Sequence, residues 1–130
     1  RDVYRERQFA FTNDAGSTSM TGSPELLIQM LDKLVDNAVD FSSEGDTIRI
    51  DLAGSDDALI LSVTNPGPPL PERMRSQLFD SMVSMRSGKD SKHLGLGLYV
   101  AKLIAEGHGG NINADNVHGG VRFDVTIPQA

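Results

Sequence analysis

The sequence predicts an α+β fold, a sandwich with helices on one face of a mostly antiparallel sheet. Three observations predict it. Apolar residues alternate in Ile48-x-Ile50-x-Leu52 and in Leu59-x-Leu61-x-Val63, the period of half-buried strands. They recur at helical spacing from Leu26 to Phe41 and again from Leu96 to Glu106. The resulting order is strand, helix, hairpin, loop, helix, hairpin, with no internal repeat and no linker long enough to divide the chain. Residues 1–130 therefore read as one domain, long enough to bury a sizeable core.

Arg5 to Thr12 carries Phe9 and Phe11 in alternation and reads as a short strand, followed by a polar Gly/Ser-rich loop over Asn13–Gly22. Ser23-Pro24-Glu25 opens a helix with a capping hydroxyl, a proline in the first turn and an acid near the positive end of the dipole. That helix runs to Phe41 and stops near Ser42-Ser43-Glu44-Gly45. The two alternating segments around Gly54-Ser55-Asp56-Asp57 form a β-hairpin. Asn65 to Pro71 is irregular, because proline lacks an N–H and fixes its own torsion. Glu72 to Asp80 is a short helix candidate. Ser81 to His93, basic and poor in large apolar residues after Met85, reads as a mobile loop. The second strong helix spans Leu96 to Glu106, with Leu96, Val100, Leu103 and Ile104 on its stripe, and Gly107 to Gly110 ends it. Asn111–Asn116 and Val121–Ile127 make a last hairpin that turns at His118-Gly119-Gly120.

Composition narrows the function classes. Hydrophobic residues make up 38% and charged residues 23%, as in ordinary globular domains. The net charge of −6 excludes a general nucleic-acid or anionic-membrane surface, while leaving room for a local basic loop around a phosphate. There is no cysteine, so neither disulfides nor thiol chemistry, which fits a reducing compartment. No apolar run approaches the roughly 20 residues that cross a bilayer. Residue 1 is Arg and no signal peptide stands before the first strand, so the chain reads as a piece of a longer protein.

Gly95-Leu96-Gly97, placed ahead of the second helix, is the most informative motif. Two glycines let a backbone approach a ligand closely, and the first turn of a helix offers unpaired N–H groups and a positive dipole end. The combination suits a phosphate, although a glycine pair also fits an ordinary tight turn. Asn37 falls within the apolar arc of the first helix. It is either a core amide bonded to backbone or a ligand group whose oxygen joins Mg²⁺. Asn65 ends a strand before a proline-glycine loop. It serves either turn chemistry, with Gly67 at positive φ, or a ligand. Arg86, Lys89 and Lys92 are either a solvated surface or partners for the same phosphate. His93, His108 and His118 have no metal-ligand spacing, and neither GxSxG nor GxxxxGK[ST] occurs.

Taken in order, these features resemble the catalytic ATP-binding domain of sensor histidine kinases, of the GHKL ATPase superfamily. Leu31 to Ala38 is similar to the N box, Val63 to Pro69 to the G1 box, Leu78-Phe79-Asp80 to the F box and His93 to Leu98 to the G2 box. His108-Gly109-Gly110 and Phe123 to Pro128 match the usual ending of the domain. The resemblance implies a two-layer α/β sandwich of the Bergerat type that binds ATP and Mg²⁺. It implies Asn37 as the Mg²⁺ ligand and Asn65 and Gly67 as the adenine pocket. Gly95, Leu96, Gly97 and Leu98 would bring backbone to the phosphates under a lid at 81–93 that carries Arg86 and Lys92. Asn37 and Lys33 would stand at the catalytic N-box positions. The function implied is donation of the γ-phosphate to a histidine on a separate dimerisation and phosphoacceptor domain, upstream of a response regulator receiver domain. The whole protein would be a homodimeric inner-membrane sensor, with this domain in the cytoplasm and itself touching neither membrane nor nucleic acid.

The sequence departs from the family pattern at four places. Asn65 replaces the usual Asp, Pro69 the second G1 glycine and His93 the first G2 glycine. Lys33 occupies a position that is Asn or His in kinases and Glu in hydrolytic relatives. A lysine ammonium cannot activate water as that Glu does, which weakens a gyrase-like or Hsp90-like hydrolase reading. A non-enzymatic nucleotide sensor or scaffold with a decayed site, and an anti-sigma-type serine kinase, are the alternatives. An amide at position 65 carries both a donor and an acceptor and serves either purine by flipping. Poor discrimination between ATP and GTP is therefore expected, with Asn65→Asp raising the ratio about 5–10-fold.

Overall fold

The computed structural model describes residues 8–14, 22–54, 57–72, 75, 78–79 and 91–128, with backbone alone at 14 and 91–96. Among the described residues, five strands and two helices are formed: β1 (Gln8–Asp14), α1 (Pro24–Phe41), β2 (Thr47–Gly54), β3 (Ala58–Pro66), α2 (Ser91–Gly107), β4 (Asn111–Val117) and β5 (Gly120–Pro128). They build a single sheet in the order β1-β2-β3-β5-β4. β1 runs parallel to β2, and every other pair is antiparallel. The parallel pair follows from α1, which carries the chain back along the sheet between β1 and β2.

Alternation puts Ile48, Ile50, Val63, Phe123, Val125, Ile127, Ile112 and Ala114 on one face, where they meet Met30, Leu34 and Ala38 of α1 and Leu98, Ala101, Ile104 and Ala105 of α2. The opposite face is polar: Ser62 donates to Asp124 at 2.5 Å, Arg122 meets Asp124 at 3.0 Å, and Thr12 donates to Asp51. The Phe79 ring stands edge-on to Phe123, centroids 5.9 Å apart, and anchors the F-box segment to the core.

Ser23 caps α1 as its sequence suggests, Oγ accepting from the Leu26 N–H. α2 ends in a Schellman turn: Gly109 takes φ +81°, its N–H bonds Glu106 O, and the Gly110 N–H bonds Ala105 O. His108 joins the two ends. Its Nδ1 faces Ile104 O at 2.8 Å and its Nε2 accepts the Ser23 N–H at 3.1 Å, which requires the neutral Nδ1–H tautomer.

Five expectations change. Asn65 and Pro66 belong to β3 and not to the irregular segment, Pro66 ending the strand opposite Gly120. β1 ends at Asp14 and not Thr12. α2 starts at Ser91 and not Leu96, so Gly95 and Gly97 lie inside the helix and not at its mouth. Each glycine costs only about 1 kcal/mol against alanine, and the buried run from Leu98 onward offsets it. The unpaired first-turn N–H groups then belong to residues 91–94. Leu103 is 48% exposed, the buried stripe being Leu98, Ala101, Ile104 and Ala105, and Leu26 is 42% exposed. Leu26 precedes Leu27 and Ile28, which line an apolar groove of about 240 Å³ with Leu31 and Leu52 among others. Of the loop expected at 81–93, residues 91–93 are helical, while 81–90 and most of the helix expected at 72–80 lie outside the described residues.

Candidate nucleotide site

Residues far apart in sequence meet along α1. A Cβ on Gly67 would stand 3.4 Å from the carbonyl of Phe41, at the C-terminal end of α1. A Cβ on Gly97 would stand 3.7 Å from Cδ of Lys33, two turns earlier. The N-box helix therefore touches the G1 loop with one end and the G2 segment of α2 with its middle. Lys33 and Asn37 are one helical turn apart and share that side.

Asn37 is 4% exposed, and neither its Oδ1 nor its Nδ2 has a hydrogen-bond partner. An unpaired buried amide costs about 1–3 kcal/mol, so a purely structural role gives no reason for it. Its neighbours Leu34 and Ala38 are fully buried, so the amide sits where the helix period calls for an apolar side chain.

Asn65 continues the inward row of β3 after Leu61 and Val63, and it is 1% exposed. Nδ2 donates to Pro66 O at 2.9 Å, while Oδ1 is buried without a partner. The contact settles the amide's orientation, because a flipped amide would set two oxygens against each other. The expected two-way flip is thereby corrected: Oδ1 is left as an acceptor without a partner, and one N–H of Nδ2 is engaged. Asn65 lines a cavity of about 180 Å³ with Phe41, Pro68–Pro71, Val121 and Phe123. Gly67 takes φ +148° and donates to Gly119 O at 3.1 Å, tying the G1 loop to the β4–β5 turn.

Leu98 is fully buried in the core, so only its backbone could meet a ligand. Gly95, Leu96 and Lys92 belong to α2, the side chains of 92 and 96 lying outside the described residues, as does Arg86 altogether. Gly120 carries no signal in the sequence beyond its turn, yet its place is the tightest at the site. A Cβ there would stand 2.2 Å from the Asn65 carbonyl oxygen and 3.1 Å from Cα of Pro66. Backbone cannot give way as a flexible side chain can. Gly120→Ala is therefore expected to cost about 3 kcal/mol in urea unfolding, with Asn65 displaced. A neutral result would show that β3 and β5 separate freely at this point.

A family model described as histidine kinase-, DNA gyrase B- and HSP90-like ATPase matches residues 22–130. The chain belongs to that family, as a GHKL-type domain of the sensor histidine kinase kind. Among curated relatives, the heme sensor protein HssS of Staphylococcus haemolyticus is 29% identical over 98% of this chain and 29% of its own length. The sensor histidine kinase WalK of Bacillus subtilis is 33% identical over 78% of this chain and 18% of its own. The chain thus spans under a third of these relatives. The catalytic domain of histidine kinase ThkA, in a nucleotide-free form, superposes with a TM-score of 0.84 at 29% identity, covering 98% of this chain and 88% of that one. ThkA has also been solved in complex with the response regulator TrrA. Among the described residues, no helix is long and apolar enough to cross a membrane.

Proposed function

We propose that this domain binds Mg-ATP and donates the γ-phosphate to a histidine on a separate dimerisation and phosphoacceptor domain of the same protein. The observation that carries the reading is the pair of buried amides, Asn37 and Asn65, each with polar atoms left without a partner on the side where the N, G1 and G2 segments meet.

The cavity beside Asn65 is smaller than the roughly 300–1,000 Å³ of sites that enclose a drug-sized ligand. It suits a purine ring, with the ribose and phosphates running out toward Asn37 and Lys33. The Asn65 Oδ1 would accept from the exocyclic amine of adenine. Asn37 fits Mg²⁺, a hard cation that takes oxygen ligands and shares them with substrate phosphates and water. When bound, Mg²⁺ neutralises phosphate charge. The Lys33 ammonium, whose stem lies along Gly97, would add a positive charge to the phosphates and cannot serve as a base for water. Arg86 and Lys92 would supply more, and the backbone at Gly95, Leu96, Gly97 and Leu98 would leave space for the phosphate chain. Transfer breaks the bond between the β–γ bridging oxygen and the γ-phosphorus and forms a phosphorus–nitrogen bond to the acceptor imidazole, leaving ADP. The work of the domain is positioning and charge neutralisation. A response regulator receiver domain would take the phosphoryl group next. The whole protein would be a homodimeric inner-membrane sensor, with this domain on the cytoplasmic side.

Calorimetric titration with ATP, with and without Mg²⁺, tests the binding half. Absence of heat at millimolar nucleotide leaves a scaffold with a decayed site. For the transfer half, the 130-residue chain incubated with γ-labelled ATP is expected to bind nucleotide and take up no label. A chain extended through the preceding segment is expected to become labelled on histidine, acid-labile. Acid-stable label on the domain alone would identify a serine kinase instead.

A further inference from the structure

We propose that Asn116 is a positioning residue for the base cavity, acting through the backbone of Leu70. This rests on the nucleotide reading of that cavity. Half of the lining of that cavity is Pro68-Pro69-Leu70-Pro71, which follows Gly67. Three of those five residues are prolines and have no N–H to give, so the segment cannot knit itself into a turn or a strand. Its two backbone donors are Gly67 and Leu70, and both are spent on the β4–β5 hairpin. The Gly67 N–H goes to Gly119 O at 3.1 Å, and the Leu70 N–H goes to Oδ1 of Asn116 at 2.7 Å. Asn116 also returns a bond, Nδ2 donating to Leu70 O at 3.0 Å. One side-chain amide thereby satisfies both polar groups of one residue, as a neighbouring strand would.

The register gives this clamp its meaning. Asn65 of β3 and Asn116 of β4 both pair with Val121 of β5, so the three residues form one cross-strand row. Val121 and Asn65 line the cavity, while Asn116 does not. Asn116 holds the proline wall to the same end of the sheet that carries Asn65. The position of the proline wall relative to Asn65 is then tied to the sheet and not left to a loop without bonds of its own. A second tie exists, Arg75 to Asp115 at 3.0 Å, but it grips the chain five residues beyond Leu70 and not at the cavity wall itself.

Competition calorimetry on the 130-residue chain tests the proposal, with Mg-ATP and Mg-tripolyphosphate as probes. The second probe has the phosphates without the base. Asn116→Ala, which removes both bonds to Leu70, is expected to weaken Mg-ATP about 5–10-fold and to leave Mg-tripolyphosphate within about twofold. Asn116→Ser, which keeps one hydroxyl for Leu70, is expected to fall between wild type and Ala, and serves alone should the Ala variant fail to fold. Equal weakening of both probes would mean general damage and overturn the positioning role. Unchanged ATP affinity in both variants would overturn it too, with the nucleotide reading left standing. A wild type that binds tripolyphosphate as tightly as ATP, or binds neither, would instead remove the base cavity and this inference together.

Discussion

Asn37→Leu is expected to raise stability and abolish Mg-dependent nucleotide binding in the same protein. The amide is buried with both polar atoms unpaired, among Met30, Leu34 and Ala38. Leucine removes the desolvation cost of that amide, about 1–3 kcal/mol, and adds apolar burial with the same number of heavy atoms. The gain should appear as a higher urea midpoint with an unchanged slope. Calorimetry on the same sample should lose the difference between ATP with and without Mg²⁺. Natural sequences give up stability at sites that work, so opposite signs in the two measurements are the mark of a ligand group. A destabilised variant would show that the amide has a partner in solution. A stabilised variant with intact Mg-ATP binding would move the cation elsewhere.

Wild type is expected to prefer ATP over GTP by at least about tenfold, near 1.4 kcal/mol. One N–H of the Asn65 Nδ2 is held by Pro66 O, which fixes the amide's orientation and leaves Oδ1 as the unpartnered atom for the base. That oxygen accepts from the adenine amine and faces the guanine O6 as acceptor against acceptor. Asn65→Asp, which the sequence alone suggests as a gain in selectivity, becomes a different experiment. It deletes the donor to Pro66, opposes a carboxylate to that carbonyl, and buries a charge without a partner. Lower stability with no gain in the ATP-to-GTP ratio is the expected outcome. Equal affinity of wild type for both nucleotides would mean that Asn65 does not touch the base.

These two amides also show where a sequence speaks and where it is silent. Asn37 is legible because a polar residue interrupts a clean helical arc, and the capped start at Ser23-Pro24 fixes the phase of that arc. The hairpins are legible from alternation, since a period of two leaves few other options. Alternation carries no direction, so the parallel pairing of β1 with β2 cannot be read from Phe9 and Phe11. The start of α2 is misplaced when glycine is weighed as a helix stop, because the core contacts of Leu98, Ala101 and Ile104 outweigh two glycines. The orientation of Asn65 depends on the conformation of the peptide next to it, which no spacing encodes. The clamp on Leu70 joins residues 46 apart in sequence. A hint of it exists: a leucine whose flanking prolines leave it the last donor in its loop must find an acceptor elsewhere.

The His108 imidazole, bonded at once to the first turn of α1 and the last turn of α2, gives the helix pair a mechanical character. It works as a pin at one end of a pair of tweezers whose tips are Lys33 and Gly97. Ten residues separate Ser23 from Lys33, an arm of about 15 Å at 1.5 Å per residue. A swing of only about 4° about the pin shifts the tips by about 1 Å. Any change in the gap between the N-box and G2 segments that keeps both bonds of the pin would be a change of angle and not a sliding of the layers.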